Sequence, residues 1–267
     1  MCGRYTLFVD PETLEERFDA RIEGAYRKRY NAAPGQRLWV ITDERPETIQ
    51  RLEWGLRPSW ADGDRVINAR AETIDEKPTF RAAYRRSSEE RERELETPAA
   101  GRCSLERSER ELETPAAGRC LVLADGFYEW VDTDSGRQPY WIAFEDGRPF
   151  AMAGLWERRE SDTDADTTQV GLDDFGGGLE SGGQNDDEHP LETFTIVTTR
   201  PNDLVADLHH RMAVIPEAGT EATWLTDDHP QALLGPHPDS GMCAHPVSTR
   251  VNDPSTDEPS LVEPVEG

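Results

Sequence analysis

The sequence predicts an α+β fold with a β-dominated core, and three observations lead there. Six β-rich runs are separated by Gly, Pro and Asp turns, whereas helical periodicity is confined to a few short segments. At 267 residues the chain is long enough for one large domain. Seven Trp, eight Phe and six Tyr supply core material despite a mean hydropathy of −0.76.

In chain order, Asp10-Pro11 before ETLEERF reads as a helix N-cap followed by a first-turn proline. RLWVIT (37–42) and IQRLEWGL (49–56) read as strands, and FRAAYRRSSEERERELE (80–96) as a helix. RCLVLADGFYEWV (119–131) reads as one long strand. Its alternation puts Leu121, Leu123, Phe127, Glu129 and Val131 on one face and Val122, Ala124, Tyr128 and Trp130 on the other. PYWIAFE (139–145), PFAMAGLWE (149–157) and FTIVTT (194–199) complete the strands, and NDLVADLHH (202–210) and EAGTEATWL (217–225) the helices. ERELETPAAGRC occurs at 92–103 and again at 109–120, an offset of 17 residues. So short a period, copied once with identity, is a tandem duplication in a surface connection and not a solenoid, which makes Cys103 a bystander copy of Cys120. Residues 158–191, rich in Asp, Gly and Ser, are expected to form a flexible loop, and 253–267 an acidic disordered tail.

The net charge of −25 argues against an ordinary nucleic-acid-binding surface. Its location qualifies that. Residues 157–192 hold twelve acids against two arginines, and residues 252–267 hold five acids and no base. Lysine occurs only at Lys28 and Lys77, so nearly all 29 basic residues are Arg, a composition of haloarchaeal type in which acidic charge maintains solubility. The four cysteines, Cys2, Cys103, Cys120 and Cys243, show neither a C-x-x-C pair nor zinc-ligand spacing, so no metal site or cofactor is expected. With no signal peptide and no long apolar run, the expected location is cytoplasmic, with no membrane partner, and the expected state is a monomer.

The chain opens MCGRY. Removal of Met1 would leave Cys2 with a free α-amine, near pKa 7.7–8.0, beside a thiol, a pair suited to capturing an aldehyde. Glu129 shares its strand face with apolar residues, where burial would raise its pKa toward the range of a general acid/base. His209 and His210 end a helical stretch, where a helix C-terminus would favour imidazolium; the residues alone do not choose between them. Asn68, in VINARAET, has an amide able to orient a hydroxyl or carbonyl. Arg4, Arg57, Arg81, Arg85 and Arg250 are candidates for a local basic cleft, and Trp54 and Trp60 for flat surfaces under unstacked bases.

The ordered motifs MCGRY, RYNAAPG, WGLRPSW, INARAET, CLVLADGFYEW, FTIVTT, LHHRM and HPVST closely resemble the SOS-response-associated peptidase-like (SRAP) family, from Met1 to about Asn252. The resemblance implies a single SRAP domain over 1–252, with a curved, barrel-like sheet. It implies an abasic-site sensor that crosslinks covalently to abasic sites in single-stranded DNA, within DNA repair and the SOS response. Carried over by position, Cys2 is the nucleophile, Asn68 positions the reacting atoms, Glu129 shuttles protons and His209 is the acid that opens the sugar ring. Arg4, Arg70 and Arg211 would grip phosphates, Asn31 would shape the DNA-binding pocket around Cys2, and Trp54 and Trp60 join the DNA contacts. His210 stands where the family pattern has Asp, and Ala213 where it has Pro. Two other classes remain: an N-terminal-nucleophile cysteine peptidase that removes its own Met1, and a non-enzymatic binder of single-stranded or modified DNA.

Overall fold

The structure is a computed structural model that describes residues 3–57, 65–85, 116–134, 136–159 and 190–265. The predicted runs form most of the framework. RLWVIT is strand β4 (Arg37–Thr42), and β5 spans Thr48–Trp54. β10 (Phe150–Arg159) and β11 (Leu191–Thr199) flank the acidic stretch. The loop predicted over 158–191 is strand at both ends, and its interior, 160–189, lies outside the described residues. Together with β7 (Ala117–Ala124), these strands follow the order β11-β10-β7-β4-β5, and β5 then pairs in parallel with β11 through Glu53↔Thr193 and Trp54↔Phe194. Five strands therefore close into a barrel, removing the exposed edges an open sheet would leave.

A second sheet follows the order β13-β9-β8-β1-β3, built from β1 (Tyr5–Leu7), β3 (Arg29–Ala32), β8 (Gly126–Thr133), β9 (Gly136–Phe144) and β13 (Met242–Pro246). The shorter strands are β2 (Arg21–Ile22), β6 (Asn68–Arg70) and β12 (Met212–Ala213). Helices α1 (Pro11–Phe18), α2 (Pro78–Tyr84), α3 (Asp203–Ala206) and α4 (Glu221–Thr226) are all short. Asp10 precedes α1 as predicted, but its carboxylate caps no amide and pairs with Lys28 at 2.8 Å instead. Residues 86–96 of the predicted second helix lie outside the described residues, as does the first copy of the duplication.

The long strand predicted over 119–131 is two strands in two sheets, broken at Asp125. The break shifts the alternation by one. Val122, Ala124 and Phe127 join one core cluster with Leu38, Trp54, Met152 and Phe194, while Leu121 and Leu123 face the helices with Leu14, Phe80 and Trp224. Leu121 and Leu123 thus do not share a face with Phe127. A one-residue corner inverts every later side chain. Gly126 is required at this corner, because a Cβ there would lie 2.3 Å from the Trp141 indole nitrogen.

The carboxyl-terminal segment is a second correction, since residues 253–265 are folded onto the second sheet. Leu261 is fully buried with Tyr128, Val247 and Val251. The Asp257 carboxylate accepts the Tyr30 and Asn31 amides at 2.6 and 3.1 Å and pairs with Arg29. Acidic composition hid this because its charge is matched by backbone amides and arginines on a distant strand. Cutting the chain after Asn252 is therefore expected to cost at least about 2 kcal/mol of stability, the scale of burying one leucine side chain. Urea unfolding measures it, and an unchanged midpoint would show that the segment contributes nothing.

Candidate active site

The site grows from the pairing of β1 with β8. Tyr5 lies opposite Phe127 and Thr6 opposite Gly126, and the Tyr128 amide donates to the Arg4 carbonyl at 3.0 Å. Continuing that register brings Gly3 alongside Glu129. Cys2, the predicted nucleophile, lies outside the described residues, as do Trp60 and Cys103.

Glu129 is 1% exposed, and burial pushes its carboxyl up to about 7. His209 Nδ1 is 3.8 Å from Glu129 Oε2. The imidazole follows α3, a four-residue helix capped by the Asn202 side chain on the Val205 amide, and the His209 amide donates to the Val205 carbonyl at 2.8 Å. Nδ1 also lies within 3.1 Å of the Arg211 amide and 3.0 Å of the Arg211 carbonyl, so either tautomer finds a partner. Burial opposes the helix-terminus argument for imidazolium, since it lowers the His209 pKa. Of the two histidines, His209 faces the carboxylate, and the exposed His210 ring packs against the His209 ring in a tilted arrangement, with centroids 4.3 Å apart.

The two histidines border an open groove of about 440 Å³, lined also by Trp130, Asp132 and Arg137 from the β8–β9 hairpin and by Asp207. Trp130 and Arg137 were missed in the sequence, where nothing distinguishes them from other strand residues. Arg137 bears electrostatically on both Glu129 and His209 and pairs with Asp132 at 3.4 Å. A larger cleft of about 590 Å³ is lined by Glu12, Glu15, Glu16, Asp19 and Glu47. It holds none of the candidate groups and would repel an anion.

The remaining candidates divide. Asn68 begins β6 and pairs in register with Ile196 of the barrel. Arg70 ends the same strand, exposed, opposite Thr198. Arg4 is partly buried, donates to the Val251 carbonyl at 3.3 Å, and has its pKa lowered by burial, with Asp253 opposing. Arg211 is held bidentately by Glu72 at 2.7 and 2.9 Å and also bonds Thr198, so its side chain frames the His209 loop. Asn31, 1% exposed, spends its amide on the carbonyls of Val251, Asp253 and Thr256, and so anchors the carboxyl-terminal segment. Trp54 is fully buried, stacked on Phe194 and donating to the Ile67 carbonyl, so its ring cannot support a base. The proposed basic cleft is also not formed as expected, because Arg57, Arg85 and Arg250 are paired with Glu53, Asp75 and Glu258. Among the described residues no group of acids, histidines and cysteines could hold a metal ion, and no helix is long and apolar enough to cross a membrane.

Comparison with known proteins gives a concordant picture. The family model "SOS response associated peptidase (SRAP)" matches residues 1–89 and 112–254, leaving out the stretch that contains the first copy of the duplication. The chain is 34% identical to the abasic site processing protein YoqW of Bacillus subtilis, covering 98% of this chain and 99% of that one. It is 26% identical to the abasic site processing protein YedK of Escherichia coli, over 99% and 100% of the two chains. It is 28% identical to the abasic site processing protein HMCES of Gallus gallus, over 91% of this chain and 68% of that one. A crystal structure of a protein from Bacteroides thetaiotaomicron shares the fold, with a TM-score of 0.69 at 21% identity over 99% of this chain and 100% of that one.

Glu129 yields a prediction of sign. Its carboxyl is raised from 4.5 to about 7, so the folded state holds the proton more tightly than the unfolded chain. Stability is unaffected below the unfolded value and is lost as pH rises through 4.5 to about 7, on the order of 3 kcal/mol in all. Glu129→Gln, which stays neutral, is expected to be more stable than the native protein at pH 8, with the difference shrinking toward pH 5. Urea unfolding across that range checks it, and a pH-independent difference would refute it.

Proposed function

The chain belongs to the SOS response associated peptidase family, and from that premise we propose that it senses abasic sites in single-stranded DNA and bonds to them through Cys2. The observation that carries this reading is a buried carboxyl whose pKa is raised to about 7, placed 3.8 Å from the His209 imidazole and across the strand pair from Gly3.

The chemistry follows from complementary proton demands. Opening an abasic deoxyribose requires a proton to leave the anomeric hydroxyl and another to reach the ring oxygen. A neutral His209 accepts the first and a protonated Glu129 supplies the second, which reverses the donor role first expected for His209. The Cys2 amine then adds to the exposed aldehyde, its surplus proton returning to the Glu129 carboxylate while the His209 imidazolium gives its proton to the new oxygen, which restores both groups. Glu129 protonates the carbinolamine oxygen, which leaves as water, and an imine forms. The thiol adds its sulfur to the imine carbon while its proton passes to nitrogen, closing a five-membered thiazolidine. The product is the sum of protein and DNA less one water. Thiol addition removes the iminium that would otherwise drive strand cleavage by β-elimination. Asn68 orients the reacting oxygen. Arg4 and Arg70 attract flanking phosphates, while Trp130 and Arg137 offer the groove an aromatic face and a cation.

The test mixes protein shown by mass to lack Met1 with an oligonucleotide carrying one abasic site. A one-to-one adduct that survives denaturation and weighs the sum less water is expected. Cys2→Ala should abolish it, and Glu129→Gln should slow it by about 10²–10⁴-fold. The rate should peak near neutrality, rising as the terminal amine loses its proton and falling as Glu129 loses its own above about 7. Equal DNA retention by Cys2→Ala and the native protein under native conditions, with no adduct from either after denaturation, would point to a non-covalent binder. Turnover of peptides without adduct would point to a peptidase.

A further inference from the structure

The one-residue corner that joins the two sheets also ties down the strand leading to the amino terminus. The Asp125 side chain, 2% exposed, accepts the Thr6 hydroxyl at 2.6 Å, the Val9 amide at 2.9 Å and the Phe8 amide. Its backbone amide donates to the Thr6 carbonyl at 2.9 Å. The Thr6 hydroxyl in turn accepts the Trp141 indole N–H at 3.2 Å, from the ring that closes over Gly126. Strand β1 is only three residues long and its pairing with β3 is irregular between Tyr5 and Leu7. Three residues of ladder cannot by themselves hold a register against slippage.

From this convergence we infer that Asp125 is a positioning residue for the reaction: it locks β1 in register against β8 and so holds Gly3, the residue that follows the nucleophile, alongside Glu129. The inference rests on the reading of Cys2 as the nucleophile. Asp125 touches neither Glu129 nor the DNA groove, so its effect is confined to where the terminal amine and thiol are delivered. Misplacement by one ångström suffices to slow a reaction that depends on aligned groups. A carboxylate is needed because one side chain must accept from three donors. An asparagine can keep its oxygen on the Phe8 and Val9 amides only by turning its NH2 toward the Thr6 hydroxyl, which reverses that hydrogen bond and leaves the hydroxyl proton without its acceptor.

Because the adduct is stoichiometric, its rate and its endpoint separate positioning from folding. For Asp125→Asn at saturating abasic oligonucleotide, the rate constant of adduct formation is expected to fall at least tenfold. The final fraction crosslinked and the oligonucleotide concentration giving half-maximal rate should stay within twofold of the native protein. Thr6→Val, which keeps the shape and removes the hydroxyl link, should slow the rate about threefold and decides the matter if Asp125→Asn does not fold. A measurement without DNA accompanies these: hydrogen exchange of the Tyr128 amide, which reports the β1–β8 register at the Glu129 end, should accelerate at least tenfold while amides in β10 keep their protection. Native rate and native Tyr128 exchange in the variants overturn the proposal, as does a loss of rate matched by an equal loss of endpoint. If the native protein itself forms no adduct, the reading of its function fails, and the exchange measurement still decides the role of Asp125.

Discussion

The pairing of a three-residue amino-terminal strand with β8 is the constraint from which the site follows. β8 belongs to the second sheet and carries Glu129, whereas the barrel strand before it ends at Ala124, one residue earlier. Placing the corner at Asp125 shifts the parity of the chain, so that Phe127 fills the core and Glu129 points inward behind it. With an uninterrupted strand, Glu129 would share a face with Leu121 and Leu123, on the side that the helices cover. The local price of the corner is a buried carboxylate at Asp125, and its three donors offset the desolvation that would otherwise raise its pKa further.

Burial then sets the chemistry of the site. Removing Glu129 from water favours its protonated form, and the same desolvation favours neutral imidazole at His209. Near pH 7 the carboxyl is therefore poised between its two forms beside an imidazole biased toward neutrality, so a proton can pass to or from a substrate group in either direction. The Arg211–Glu72 pair, seated against Thr198, contributes by fixing the loop whose backbone meets His209 Nδ1.

The acidity of the molecule coexists with this site because so many of its arginines are engaged. Arg158 bridges Glu44 and Glu192, Arg57 and Arg65 share Glu53, and Arg29 and Arg250 bind Asp257 and Glu258. Exposed pairs of this kind each contribute little to stability, but they keep arginine side chains occupied at the surface. Arg70 forms no such close pair among the described residues; it lies exposed at the end of β6, opposite Thr198 of β11, with Glu72 within its electrostatic reach. An anionic partner would meet a selective surface in which a few cations act locally while the total charge repels.

Period-two hydrophobic runs were enough to locate β4, β5, β10 and β11, because each is bounded by turns and buried on at least one face. The identities of Glu129 and His209 as candidates were equally legible from local composition and motif order. The corner at Asp125 was not read, although Asp125-Gly126 is a turn dipeptide, because apolar residues run on both sides of it and its packing against Thr6 and Trp141 comes from distant strands. Trp54 looked like an exposed platform because a tryptophan's sequence neighbours do not tell whether Tyr5 and Phe194 will enclose it. The acidic tail looked disordered because its partners, Tyr30, Asn31 and Arg29, lie more than two hundred residues earlier. Sequence alone determined which groups could do chemistry, since that depends on covalent identity and short-range pattern. Tertiary structure alone decided which of them share a site and in which protonation state, since proximity and burial are set by contacts between residues far apart in the chain.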